Sequence, residues 1–158
     1  MKPSTVERAL ATVACHLVAP FELATRLYVG WVFVKSGWLK VSDWPQTLAL
    51  FETEYRVPLL PPHLAAYLGA GGELFFGALL IVGLAGRASA LGLLAVNALA
   101  VISYRHVLLQ DGFEAAIGQH VLWGFMLVVL AVHGPGRWSL DGLLARPGRD
   151  AATGAPRA

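Results

Sequence analysis

The sequence predicts an all-α membrane protein, a bundle of four transmembrane helices with an amphipathic helix in its first outer loop. Three observations predict it. Hydrophobic residues fill 56% of the 158 positions and charged residues only 14%, against about a quarter charged in a soluble domain. That leaves too few charges to coat a compact globule in water. Three windows are nearly free of charge: 23 residues between His63 and Arg87 with Glu73 alone, 17 from Ala88 to Tyr104 with none, and 22 between Glu114 and Arg137 with none. Each can hold a helix of about 20 residues, enough to cross a hydrocarbon core of about 30 Å. These windows are rich in Ala, Leu and Gly and show no strand-like alternation.

Taken in order, residues 1–20 are expected to form a cytoplasmic N-terminal segment. Its apolar run, Ala9 to Ala14, is too short for a signal peptide, and Thr12 stands where a lipoprotein signal ending at Cys15 would want Leu. The first hydrophobic helix is therefore expected to be retained. The membrane domain covers 21–138, with spans at about 21–41, 64–85, 88–105 and 116–134. The first span carries Glu22, Arg26, Lys35 and Lys40. Glu22 and Arg26 are four apart and can pair on one helix face. Lys35 and Lys40 lie near one end, where long stems snorkel to the headgroups. Trp31, Trp38 and Trp44 suit an interfacial belt there.

The loop after the first span has its own helix signals. Asp43 can cap, Pro45 falls in the first turn, and Gln46 can reach back. Trp44, Leu48, Phe51 and Tyr55 then recur at helical spacing, which predicts an amphipathic helix on the outer surface of the bundle or the bilayer. Pro58, Pro61 and Pro62 end it. Beyond Trp138, residues 139–158 read as a cytoplasmic tail, largely disordered, with a short helix near Asp141 to Leu144.

Loop charges set the expected orientation. With four spans, the termini and the middle loop share a side and carry Lys2, Arg8, Arg87, Arg137, Arg146, Arg149 and Arg157, while the other side has Lys40, Arg56 and Arg105. The positive-inside rule puts both termini in the cytoplasm. Net charge is only +2 and the arginines are scattered, so no basic stripe for nucleic acid exists. The bilayer is the expected partner, together with a membrane protein or further copies of the chain. Cys15 is the single cysteine, which excludes an internal disulfide and a CxxC redox or metal pair.

Glu73 is the sharpest chemical signal. A carboxylate in mid-span costs several kcal/mol unless it is paired, solvated or protonated. Gly69, Glu73 and Gly77 share one helix face, so a helix or a ligand can approach the carboxyl closely. Two readings stand side by side: Glu73 glues helices through Lys35 or Asn97, or it lines a functional pocket. Lys35 is the expected partner, making Glu73 and Lys35 the candidate catalytic pair for proton transfer. Asn97, His120, Tyr104 and Trp38 are the candidate ligand-binding residues around the cavity. His106 and His120 flank the last outer loop with Asp111 and Glu114 between them, but the spacing matches no metal motif, and no metal ligands are assigned.

The FVKSGWLK segment within RLYVGWVFVKSGWLKVSDW resembles the DoxX family of small bacterial membrane proteins. So does AAYLGAGGELFFGALLIVGLAGRASALGLL, with its mid-helix Glu73 and its Gly-Leu-Ala-Gly-Arg turn. The resemblance covers roughly Phe21 to His133. FETEYRVPLLPPHLAAYLG, AVISY, QHVLWG and HGPGRWSLD resemble a branch encoded beside peptide-modifying enzymes in copper-response operons. The resemblance implies a four-helix bundle that serves as an accessory subunit of a membrane redox system, with quinone as the implied cofactor. Its matching polar residues are Lys35, Lys40 and Glu73. Any enzymatic role would be that of a non-autonomous subunit of a quinone-linked oxidoreductase. Two rival functions remain open from the residues: a proton-coupled transporter or export helper for a small molecule or metal-peptide, and a ligand-free assembly scaffold.

Overall fold

A computed structural model describes residues 4–145. The chain runs α1 (Thr5–Ser42), α2 (Trp44–Thr53), α3 (Pro62–Val82), α4 (Gly86–Leu108), α5 (Glu114–His133) and α6 (Leu140–Leu144). Helices α1, α3, α4 and α5 are each long and apolar enough to cross a membrane. α1 packs chiefly on α3, α3 on α4 and α4 on α5, and α1 also touches α5 to close the ring. The chain is thus a multi-pass membrane protein folded as a four-helix bundle. The part of the tail from residue 146 onward, expected to be disordered, lies outside the described residues.

The first helix starts well before the expected 21–41 span. Ser4 and Glu7 form a capping box: Ser4 Oγ accepts from the Glu7 amide at 3.2 Å, and Glu7 Oε2 accepts from the Ser4 amide at 2.6 Å. This reciprocal pair satisfies two otherwise free amides and nucleates the helix. Pro20 lies inside α1 without ending it. At about 1.5 Å per residue the 38 residues of α1 extend for about 57 Å, nearly twice a hydrocarbon core.

In lipid, helices associate by close packing rather than by a hydrophobic drive, so small residues mark the seams. Gly30 of α1 and Gly77 of α3 are such a point. A Cβ on Gly77 would lie 2.8 Å from Val34 Cγ2 and 3.2 Å from the Gly30 carbonyl oxygen, and one on Gly30 would lie 3.2 Å from the Gly77 carbonyl oxygen. Backbone faces backbone there and neither side can yield. Gly77→Val is expected to push the helices apart and cost about 1–3 kcal/mol, read as a lowered unfolding midpoint in detergent. Val29, Phe33, Leu80, Ala90, Leu93, Leu127 and Leu130 fill the centre of the bundle.

α2 and the segment after it cover one end of the bundle. Asp43 Oδ1 accepts from the Gln46 amide at 3.1 Å and starts the helix. Phe51 packs on Ala65 and Ala66 at the start of α3, with Trp44, Leu48, Tyr55, Val57 and Leu60 around them. Two side-chain contacts hold this cover down: His63 Nε2 lies 3.1 Å from Glu52 Oε1, and the Tyr104 hydroxyl donates to Glu54 Oε2 at 3.1 Å.

At the opposite end, Arg26 is 2% exposed. It does not pair with Glu22 as its spacing predicts. Its guanidinium donates to the carbonyls of Pro135 and Trp138, in the segment that follows α5. Asp141 accepts from the amides of Ala85 and Gly86 at 3.0 and 2.8 Å and so caps α4. Arg87 donates to the Val132 carbonyl at 2.8 Å, neutralising free carbonyls at the end of α5. Gly83, at φ 72°, ends α3 in the left-handed conformation that glycine adopts freely, and its amide bonds Leu79 and Leu80.

Candidate functional site

The site grows from the α1–α3 seam. Val29, Gly30, Phe33 and Gly37 are the buried positions of α1 around it, and the same spacing continued gives Lys40. Gly37 lets α3 come close: a Cβ there would sit 3.0 Å from Glu73 Cβ. Side chains on a helix lean toward its N-terminus. Lys40, near the C-terminal end of α1, therefore reaches back along the seam to the level of Glu73.

Lys40 Nζ donates to Glu73 Oε2 at 2.8 Å and to Oε1 at 2.9 Å, and to Ser36 Oγ at 2.9 Å. The Ser36 hydroxyl donates to Glu73 Oε1 at 3.3 Å. Glu73 is 6% exposed. A buried carboxylate needs this pairing, because unpaired charge in low dielectric is costly. The Lys40 carbonyl in turn accepts from the buried Thr47 hydroxyl at 2.8 Å, which anchors the end of α1 to α2.

Beside the pair lies a cavity of about 380 Å³ between α3 and α4, roofed by Phe51, Tyr55, Val57 and Leu60. Gly69 and Gly72 of α3 and Gly92, Ala95 and Ala100 of α4 line it; the small side chains leave the space open. Leu68, Ala95 and Leu99 line it and are exposed on the lipid-facing surface, so the cavity opens sideways between the two helices. Its size is that of a small-molecule site, and its polar groups are few: the Lys40–Glu73 pair and the Tyr55 and Ser103 hydroxyls. Burial raises the Tyr55 hydroxyl above the ordinary phenol range, and Tyr104, Glu73 and Glu54 raise it further. The Tyr55 hydroxyl therefore stays neutral.

The residues singled out in the sequence divide between places. Glu73 is at the site. Lys35 is not its partner: it is exposed, on the side of α1 turned away from α3, and Lys40 takes the role. The two lysines are five positions apart, which on a helix sets them about 140° apart around the axis. Trp38 is 67% exposed on the same outward side and does not line the cavity. Tyr104 is held by Glu54 at the covered end. Asn97 and His120 meet, but across the α4–α5 seam: Asn97 Oδ1 and His120 Nδ1 are 2.8 Å apart, and Asn97 Nδ2 donates to the His120 carbonyl at 3.0 Å. Neither borders the cavity. Of the Gly69–Glu73–Gly77 face, Gly77 lies against α1 and Gly69 borders the cavity. Sequence reasoning overlooked Ser36, which shares the i, i+4 face of Lys40, and the apolar cavity wall.

Among the described residues, no group of three or more His, Cys, Asp or Glu side chains is placed to hold a metal ion. The family model DoxX matches residues 21–106, which takes in α1 from Phe21, α2, α3 and most of α4 with the whole Lys40–Glu73 site. No curated protein and no solved structure matches the chain.

Proposed function

The chain belongs to the DoxX family, and from that membership we propose that it is an accessory subunit of a quinone-linked redox system, its cavity receiving the polar ring of a quinone-like ligand. It works in the bacterial inner membrane with both termini in the cytoplasm, the side richer in Arg and Lys. The observation that carries the reading is the cavity of about 380 Å³, apolar along its walls and ended by one buried ion pair. A lipid-soluble ring enters from the bilayer between α3 and α4. Lys40, whose three N–H groups are spent on Glu73 and Ser36, supplies positive charge beside a ring oxygen, and Glu73 supplies a carboxylate that takes up or returns a proton beside it. Phe51, Leu60 and Phe76 exclude water from the ring. The bound quinone would supply the electron chemistry; the chain supplies binding and proton handling.

Purified protein in lipid nanodiscs, titrated calorimetrically with a short-chain ubiquinone analogue, tests this. Saturable binding is expected, weakened about tenfold or more by Glu73→Gln, a loss of about 1.4 kcal/mol or more. Absent binding, or equal binding by variant and wild type, would leave the ion pair as helix glue in an assembly scaffold. A proton-coupled transporter is the second reading, favoured by the intramembrane carboxylate on an open cavity. Proton-dependent substrate uptake into proteoliposomes distinguishes it.

A further inference from the structure

A second cavity, of about 400 Å³, lies on the other side of the ion pair. Its walls are the more polar of the two: Ser36, Lys40, Asp43, Gln46 and Thr47 line it with Leu39 and Leu50, and Asp43 and Gln46 are exposed at the α2 end of the bundle. It therefore opens to water, whereas the apolar cavity opens to lipid. The two cavities share Lys40, Phe51 and Tyr55 as their partition. Ser36 borders only the polar cavity, Glu73 only the apolar one, and Lys40 both. The hydrogen bonds cross the partition in the same order, from Ser36 to Glu73 with Lys40 on both.

We propose that Glu73 exchanges protons with the water on the α2 side of the membrane through Ser36 and the polar cavity, while the ligand of the apolar cavity arrives separately from the lipid. The ligand class is an amphiphile with an acidic hydroxyl. Glu73 takes the proton of that hydroxyl and becomes a neutral carboxyl. Ser36 then accepts the carboxyl proton and passes its own to water in the polar cavity, so one proton leaves and the carboxylate is restored. Lys40 keeps its three protons and stays beside the ligand's new negative charge.

The groups around Glu73 suit this route. α1 presents Ser36 and Lys40, and the segment after α2 presents the neutral Tyr55. From α4 the cavity receives only the Ser103 hydroxyl, which is spent on the Leu99 carbonyl. From α5, His120 lies within the field of Lys40 and is bonded to Asn97. Among the described residues, no other acceptor chain leads away from the carboxylate on the apolar side.

The identity of the ligand rests on the function proposed above; the aqueous route does not, and the experiment separates them. Full-length protein in nanodiscs is treated with a permanently charged, water-soluble carbodiimide or with lipid-soluble dicyclohexylcarbodiimide. Either reagent condenses Lys40 and Glu73 to an amide, carrying off the water as urea, and mass spectrometry detects the joined peptides. The charged reagent is expected to join them in wild type and in Ala100→Leu, which fills the apolar cavity. It is expected to lose most of its yield in Gln46→Trp, which obstructs the polar mouth, while dicyclohexylcarbodiimide still joins the pair there and so shows the fold intact. Failure of the charged reagent in wild type, or an undiminished yield in Gln46→Trp, overturns the aqueous route. Normal charged-reagent behaviour without ubiquinone-analogue binding in the same discs overturns the quinone reading and leaves the route standing.

Discussion

Replacing Lys40 by Met is expected to destabilise the bundle by about 3–5 kcal/mol, the usual cost of stranding one member of a buried ion pair. Lys40 satisfies both oxygens of Glu73, and in the variant only the longer Ser36 contact remains. The double variant Lys40→Met/Glu73→Leu removes both charges, and most of the loss should return. Lys35→Met should be silent within about 0.5 kcal/mol, the usual range for an exposed position. Unfolding midpoints of the four proteins in one detergent decide it. Equal losses for the two lysine variants would mean that Glu73 has another partner.

The second large effect lies at the other end. Arg26→Leu removes two charge-assisted hydrogen bonds to main-chain carbonyls, each worth about 1.5–3 kcal/mol, and a combined loss of about 3–5 kcal/mol is expected. Arg26→Lys should recover only part, because a point charge cannot fork to two carbonyls as a guanidinium does. The segment from Gly134 to Ala145 should become protease-sensitive in the Leu variant before the bundle itself melts. Simultaneous loss of both would show that the segment is integral to the bundle's cooperativity.

Much of this architecture was legible beforehand. Spans stand out because a bilayer tolerates so little charge, so α3, α4 and α5 announce themselves, and Glu73 is conspicuous as the exception within its window. The start of α1 was not seen because a span search looks for apolar length, whereas Ser4 and Glu7 begin this helix by capping chemistry. The choice of lysine failed for a different reason. Lys35 and Lys40 are equivalent to a depth argument, and only the angular position of Val29, Phe33 and Gly37 around the helix separates them. That rotation can be read from the spacing, provided the small and bulky apolar positions are followed through to residue 40. Arg26 and its carbonyl partners were beyond reach: they are more than a hundred residues apart, and a carbonyl acceptor leaves no mark on the residue type. The cavity was equally hidden, because glycines that admit a neighbouring helix and glycines that leave a void look the same in sequence.

The distance along the chain between Arg26 and its partners also orders biosynthesis. Domains form as the ribosome delivers them, N-terminal portions first. Lys40 meets Glu73 as soon as the third helix emerges. Arg26 enters with the first hydrophobic stretch, one turn from Glu22, and lacks its carbonyl acceptors until the residues after the last span have been translated. A nascent chain halted at Leu108 would hold the carboxylate pair and lack the far fastening entirely. The final dozen described residues are thus the latch that closes the assembly, and quality-control proteases would meet every unfinished copy with that latch open.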